Sequence, residues 1–505
     1  MTVLQTVTSI LLKTFGKRSL LDLSILVISI AGWCGGLGVQ PSCAQTARPS
    51  AAEVAVINVT VIAMEQEGAV PAQTVLVRNG KIAAIVPAKN FHPGPTALIV
   101  DGSGKFLIPG LADMHAHIQR ESNLNSNNWF THLMLANGVT TIRNMWGIPE
   151  HLALRRAIEA GEIIGPTIYT AGPILDGRPP MWQGSVVVDR ADQAEELVKE
   201  QQEAGYDFIK VYSRLSLDAY QAIIAAATVH HMKVAGHVPL AVGIVTAIER
   251  GQYSIEHLDG YITAIQSNSS PVAGKDDWYS QMVAYSHIDQ QKLAHIAKLT
   301  EEAGTWNCPT LVTMSKWLPP AGRERLLKQA GMEYVPMDVR KTWDLMSDLQ
   351  MKPFSTLDMV KLRHAEEARS SMVKVLFDAG AKIVAGTDAP APFVVPGISL
   401  HEELGKLVAA GLTPYQALRA ATRNGAELLG KLEEFGTISI GKRADLVLLD
   451  ANPLIQISNS STIRGVMVRG RWFSRAELDT MLATDVEQDH QTKKPNMSKN
   501  QLAEN

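Results

Sequence analysis

The stretch GLADMHAHIQ, residues 110–119, follows the strand-like run KFLIPG and sets His115 and His117 either side of one alanine. Alternate side chains of a strand share a face, so the two imidazoles converge on one point. The chain has only fourteen histidines. Two of them on one face of a buried strand form a donor pair for a metal ion.

Working outward, strand-like and helix-like segments alternate from about Pro109 to Leu432. The strands are GLADMHAHI, GVTTIRNM, PTIYTAG, DFIKVYS, KVAGHV, YSIEHL, WNCPTLV and KIVAGTDA, with amphipathic runs such as ADQAEELVKEQQEAG between most of them. Eight such steps predict an α/β fold, a (β/α)8 TIM barrel over residues 109–432. An open doubly wound sheet is the alternative, but no Gly-rich phosphate turn follows the first strand. Three long connections, Pro173–Asp189, Asp259–His287 and Met314–Asp358, each follow a strand and are the expected substrate walls.

On either side of this region lie short alternating runs, VINVTVIAM and TVLVRNGKIAAIV before it, KRADLVLLD and IRGVMVRGRWF after it. Turns at Asn79-Gly80 and near Asp101-Gly102 predict antiparallel pairing. Residues 45–108 and 433–485 are therefore expected to build one small β-sandwich domain from both ends of the chain. From Val486 to the end the sequence is polar and aperiodic and reads as a disordered tail.

At the other end Lys13, Lys17 and Arg18 precede an apolar run from Leu23 to Val39, and Ser42 and Ala44 suit a cleavage site. Residues 1–44 read as a signal peptide, which predicts an exported protein, periplasmic or secreted, with no stable membrane span once the signal is removed. An uncleaved anchor is the rival reading; the apolar run is short for a span and holds four glycines. Cleavage after Ala44 leaves Cys308 as the one cysteine, so no internal disulfide is expected. Forty-seven basic and fifty acidic residues give a net charge of -3 without a basic stripe, which argues against nucleic acid as a partner.

The ends of the proposed strands carry His115, His117, Lys210, His237, His257 and Asp388. In a barrel all six face one mouth. Asp207 reads as a loop carboxylate, Glu256 as a wall residue turned away from its neighbour His257, and His230 and His231 as helix-end residues. Tyr212 shares the Lys210 face and is a candidate for polarising a substrate carbonyl. Arg178 and Trp182, in the first long connection, are candidates for a substrate carboxylate and an apolar group.

In LIPGLADMHAHI, DFIKVY, AGHV, SIEHLDG, AGTDA and GTISIGKRADLVLLDANPL the chain resembles the amidohydrolase superfamily, specifically its binuclear metal branch of imidazolonepropionase-like and prolidase-like hydrolases. The resemblance covers nearly the whole chain beyond residue 44. It implies that His115, His117 and Asp388 bind one divalent ion, that His237 and His257 bind a second, and that a carboxylated Lys210 bridges them. Chemistry agrees: burial beside cations disfavours the ammonium form, and a neutral lysine amine can capture carbon dioxide as an oxygen-donating carbamate. Zinc suits this mixed donor set, as do manganese, cobalt and iron.

Two ions sharing a water give hydroxide near neutral pH, with Asp388 as general base and acid. The expected reaction is hydrolysis of an amide C–N bond in a dipeptide or an N-acyl amino acid. Cyclic-amide hydrolysis is the alternative, deamination a weaker one that Lys210 argues against, and a metal-free scaffold the reading from another class. Homo-oligomers are common in proteins of this resemblance.

Overall fold

The computed structural model describes residues 53–121, 123–275, 277–316, 322–355 and 358–492. The expected signal segment, residues 1–44, lies outside them. The described residues belong to one compact unit, Ser50–Asn505.

The first five strands are β1 (Glu53–Val61), β2 (Val70–Arg78), β3 (Lys81–Pro87), β4 (Leu98–Asp101) and β5 (Phe106–Pro109). Arg78 pairs with Lys81 across Asn79 and Gly80, both at positive φ, so the two-residue hairpin forms where the Asn-Gly pair predicts it. The second expected turn differs. Both β4 and β5 run parallel to β1, β4 along Val54–Ile57 and β5 along Thr60–Val61. Asp101-Gly102 is thus a step along one edge of β1 and not a hairpin. Gly102 donates its N–H to the Ile57 carbonyl at 2.8 Å, and a Cβ there would stand 2.5 Å from that of Val59. Only glycine permits the crossing.

The parallel strands follow: β6 (Leu111–Ala116), β7 (Val139–Asn144), β8 (Thr167–Thr170), β9 (Leu175–Asp176), β10 (Val186–Val187), β11 (Phe208–Val211), β12 (Lys233–Gly236), β13 (Ser254–Glu256), β14 (Trp306–Cys308) and β15 (Lys382–Ile383). All eight expected β/α strands are among them. They pair as a three-stranded sheet, β6-β7-β8, and a seven-stranded sheet, β10-β9-β11-β12-β13-β14-β15. Single parallel bridges link Ala171 to Phe208 and Ala116 to Ala389. The strand order alone does not trace one closed ring. Residues of β6 and β7 are buried throughout, as strands covered on both faces must be.

Near the C-terminus β16 (Leu446–Leu449), β17 (Ile463–Val468) and β18 (Arg471–Ser474) return to the first five strands. They pair into one eight-stranded sheet, β18-β17-β16-β5-β1-β2-β3 with β4 on β1. Both ends of the described chain contribute to it, and among the described residues it is one continuous mixed sheet with no second sheet to make a sandwich.

The tail expectation also changes. The last helix runs Arg475–Thr492, so residues 486–492 are helical and only 493–505 of the expected tail lie outside the described residues. Leu478, Met481 and Leu482 bury one face of it, and Asp485 meets the buried His132 at 2.8 Å. Packing in its first half seeds a helix that the polar end then continues.

Candidate metal centre

Strand β6 carries His115, fully buried, and His117 follows directly after it. Their ring centroids lie 5.2 Å apart. Asp388, beyond β15, adopts φ 62° and donates its N–H to the His115 carbonyl at 2.7 Å. That turn brings its Oδ1 to 2.9 Å from His117 Nε2 and 3.4 Å from His115 Nε2. Behind them buried Asp113 accepts the Thr387 hydroxyl at 2.6 Å and the Thr387 N–H at 3.0 Å, tying the two chain segments together.

His237 and His257 follow β12 and β13. The His257 ring lies 4.4 Å from that of His115 and 5.0 Å from that of His237. Donor atoms of His115, His257 and Asp388 all fall within 4.8 Å of one another. In three of the four histidines Nδ1 faces outward to a partner: Glu256 Oε2 at 2.7 Å for His115, Thr310 Oγ1 at 2.7 Å for His257, and Asp259 Oδ2 at 3.4 Å for His237. Nε2 is left to point at the centre, the arrangement that orients imidazole toward a metal. His257, Leu258, Thr310 and Asp388 all hold positive φ, a concentration of strain that surrounding contacts must maintain.

Lys210 is buried on β11, and among the described residues its Nζ has no hydrogen-bond partner. Burial lowers its pKa to about 8, against the opposing pull of Glu256 and Asp388. A neutral amine is therefore accessible near physiological pH. Among the described residues buried His117 Nδ1 likewise has no hydrogen-bond partner. Burial lowers the pKa of His117 and holds that of His257 far down, which keeps both neutral and able to donate lone pairs. Burial pushes the Asp388 carboxyl up, but His257, His115 and His117 outweigh it and hold it well below the usual range. The set, neutral imidazoles, a carboxylate and an amine that can be carboxylated, fits divalent ions.

Glu256 is turned away from His257 as alternation predicts, yet it is no simple wall residue. It accepts from Arg143 Nη2 at 2.8 Å on both oxygens, from Ser254 Oγ at 2.6 Å, and meets His115 Nδ1. His115, Glu256 and Cys308 form a second donor trio. Glu256 is saturated by Arg143, and burial pushes the Cys308 thiol up, so this trio backs the first. Sequence reasoning passed over Arg143 and Asp113. A charged residue inside the buried run GVTTIRNM was the available signal for one, and alternation with His115 and His117 for the other.

The centre opens into a cleft of about 990 Å³ lined by all six expected ligands and by Tyr212 and Trp182. Tyr212 Oη accepts from Trp182 Nε1 at 2.8 Å, so its hydroxyl already has one partner. Arg178 is not in the cleft. Its exposed guanidinium pairs with Asp189 at 2.8 Å, because the connection turns that side chain outward to solvent. Asp207 binds Arg155 and the Thr170 N–H, and His230 binds Glu195, both away from the centre.

A model of the Amidohydrolase family matches residues 106–473. An ochratoxinase from Aspergillus niger is 23% identical over 415 residues, 70% of this chain and 71% of that one. Other curated relatives, such as an imidazolonepropionase and several deaminases, match over only 13% to 31% of their own length. Among solved structures, a bottromycin amidohydrolase superposes with a TM-score of 0.70 at 24% identity, covering 86% of this chain and 90% of that one. A Xaa-Pro dipeptidase gives 0.61 at 20% identity, covering 84% of this chain and 100% of that one.

Proposed function

Because the chain belongs to the Amidohydrolase family, we propose that it is a metal-dependent hydrolase of an amide C–N bond in a dipeptide or an N-acyl amino acid. The observation that carries this reading is the convergence of four imidazoles, Asp388 and the unpartnered Lys210 amine on one cleft. His115, His117 and Asp388 would hold one ion, His237 and His257 the other, with carboxylated Lys210 between them. When bound, such a pair supplies water activation and carbonyl polarisation. We read the two parallel sheets as the wall of a (β/α)8 barrel with this site at its mouth.

The chain's own groups do the rest. Glu256 and Thr310 keep His115 and His257 in one tautomer with Nε2 inward. Asp388, ionised, takes the proton of the attacking water and returns it to the leaving nitrogen. The Xaa-Pro dipeptidase likeness supports a linear amide substrate. Lys210 continues to argue against deamination.

The test is hydrolysis of a panel of dipeptides, N-acyl amino acids and cyclic amides with added zinc or manganese and bicarbonate, beside Lys210→Ala. The expected outcome is cleavage of a linear amide, reduced at least about 1,000-fold in the variant, with fewer metal ions bound. No bound metal and no gain on metal addition would sink the reading. We also propose export, on the sequence of residues 1–44; N-terminal sequencing of the protein recovered outside the cytoplasm tests it, and a start at Gln45 is expected. Among the described residues no helix is long and apolar enough to cross a membrane.

A further inference from the structure

We infer that Arg369 receives the free carboxylate of the substrate and that the cleft takes N-acyl amino acids with a large apolar acyl group; this rests on the amide-hydrolase reading above. Arg369 lies on the helix Met359–Asp378, is 6% exposed, and lines the same cleft as the six candidate ligands. Three arginines are buried among the described residues. Arg143 pairs with Glu256 and Arg323 with Asp348. Arg369 makes no ion pair among the described residues: Nη1 donates to Tyr285 Oη and Nη2 to the Pro309 carbonyl, each at 3.1 Å. Its buried Nε has no hydrogen-bond partner among the described residues.

A guanidinium cannot shed its proton, so a buried one without a counterion is unfavourable unless an anion arrives. Two of its five N–H groups are engaged, which leaves one N–H on each Nη for a carboxylate. The other cleft arginines have no such need. Arg120 stacks 4.6 Å over Trp146, Arg214 donates to the Pro179 carbonyl, and both are exposed to water. Arg369 is also tied to the centre. The Pro309 carbonyl it holds precedes Thr310, whose hydroxyl meets His257.

The acyl side follows from the walls. At about 990 Å³ the cleft stands at the upper end of the roughly 300–1,000 Å³ that houses drug-sized ligands. Trp182, Met181 and Leu349 line it while 39%, 48% and 62% exposed. Large apolar side chains left in water at a cleft mouth mark surface that a ligand covers.

The experiment uses the metal-loaded full chain and three probes: N-octanoyl-L-phenylalanine, its C-terminal carboxamide, and N-acetyl-L-phenylalanine. Release of the acyl acid is expected to have a kcat/KM on the order of 100-fold higher for the octanoyl acid than for its carboxamide, the weight of a charge-assisted pair. Arg369→Gln should cut that ratio below about threefold and Arg369→Lys leave it near tenfold, with thermal melts showing that each variant folds. Octanoyl should exceed acetyl by at least about tenfold. Equal turnover of acid and carboxamide, or a ratio untouched by Arg369→Gln, overturns the carboxylate site and leaves the hydrolase reading standing. Equal turnover of octanoyl and acetyl substrates overturns the acyl assignment. If nothing is turned over, calorimetric binding of the acid over the carboxamide, lost in Arg369→Gln, supports the site and counts against the hydrolase. Absence of selective binding as well overturns both.

Discussion

His115 and His257 face the same point, but the groups behind them differ in kind. Behind His115 stands an ionic network closed to water, with Glu256 bound by Arg143, Ser254 and the imidazole itself. Behind His257 stands one neutral hydroxyl, that of Thr310, on a residue held at φ 45°. A charge-assisted network aligns its ring rigidly and leaves a buried charge behind if one member is lost. A hydroxyl aligns its ring more weakly, and its loss leaves little unpaid. The ring of His115 is therefore tied to the fold's stability, and that of His257 is nearly independent of it.

Glu256→Gln should separate the two most sharply. It leaves Arg143 buried without a counterion, for an expected loss of about 3–5 kcal/mol by urea denaturation, with metal affinity falling about 10–100-fold. A stability change below about 1 kcal/mol would show that the network is not closed. Thr310→Val is expected to lower metal affinity about 10–100-fold in a titration while costing only about 1 kcal/mol. Similar stability losses in the two variants would erase the distinction.

A smaller effect lies away from the centre and gives a pH baseline. Half-buried His401 bonds the Asn137 carbonyl through Nε2 and Ser460 through Nδ1, and desolvation of its ring lowers its pKa to about 4. Between about pH 6.5 and 4 the unfolded chain takes up a proton that the folded chain refuses, so stability falls as pH falls through that window. Melting points should drop across it in the wild type and drop less in His401→Gln. The least effect is expected of Arg178→Ala, whose exposed pair with Asp189 is worth under about 1 kcal/mol; kcat/KM should stay within about twofold. A large loss of activity would return Arg178 to the substrate.

Positions governed by local rules were readable in advance. His115 and His117 alternate on a strand, and Asn79-Gly80 closes a hairpin because both residues tolerate positive φ. The six candidate ligands were readable as a set, from strand ends and from the resemblance. Arg178 and Arg369 show where reading stopped: one sits in a loop beside the site in sequence yet faces solvent, the other lies on a helix far along the chain yet lines the cleft. The run ALIVDGSGKFLI looked like a hairpin because alternation reports strands and not which strand they join.

What the sequence determined by itself is thus what depends on neighbours in the chain: the strands, the hairpin, the paired histidines and the donor chemistry of each candidate ligand. The tertiary structure alone decided that Glu256 bonds to Arg143 and His115, that Asp388 swings onto β6, that the last helix runs on past Asp485, and that Arg369 is, among the described residues, the buried arginine without an ion pair. The physical reason is that burial and pairing belong to groups brought together from distant parts of the chain. The cost of an unpaired charge is set by that environment and not by the residue's own neighbours.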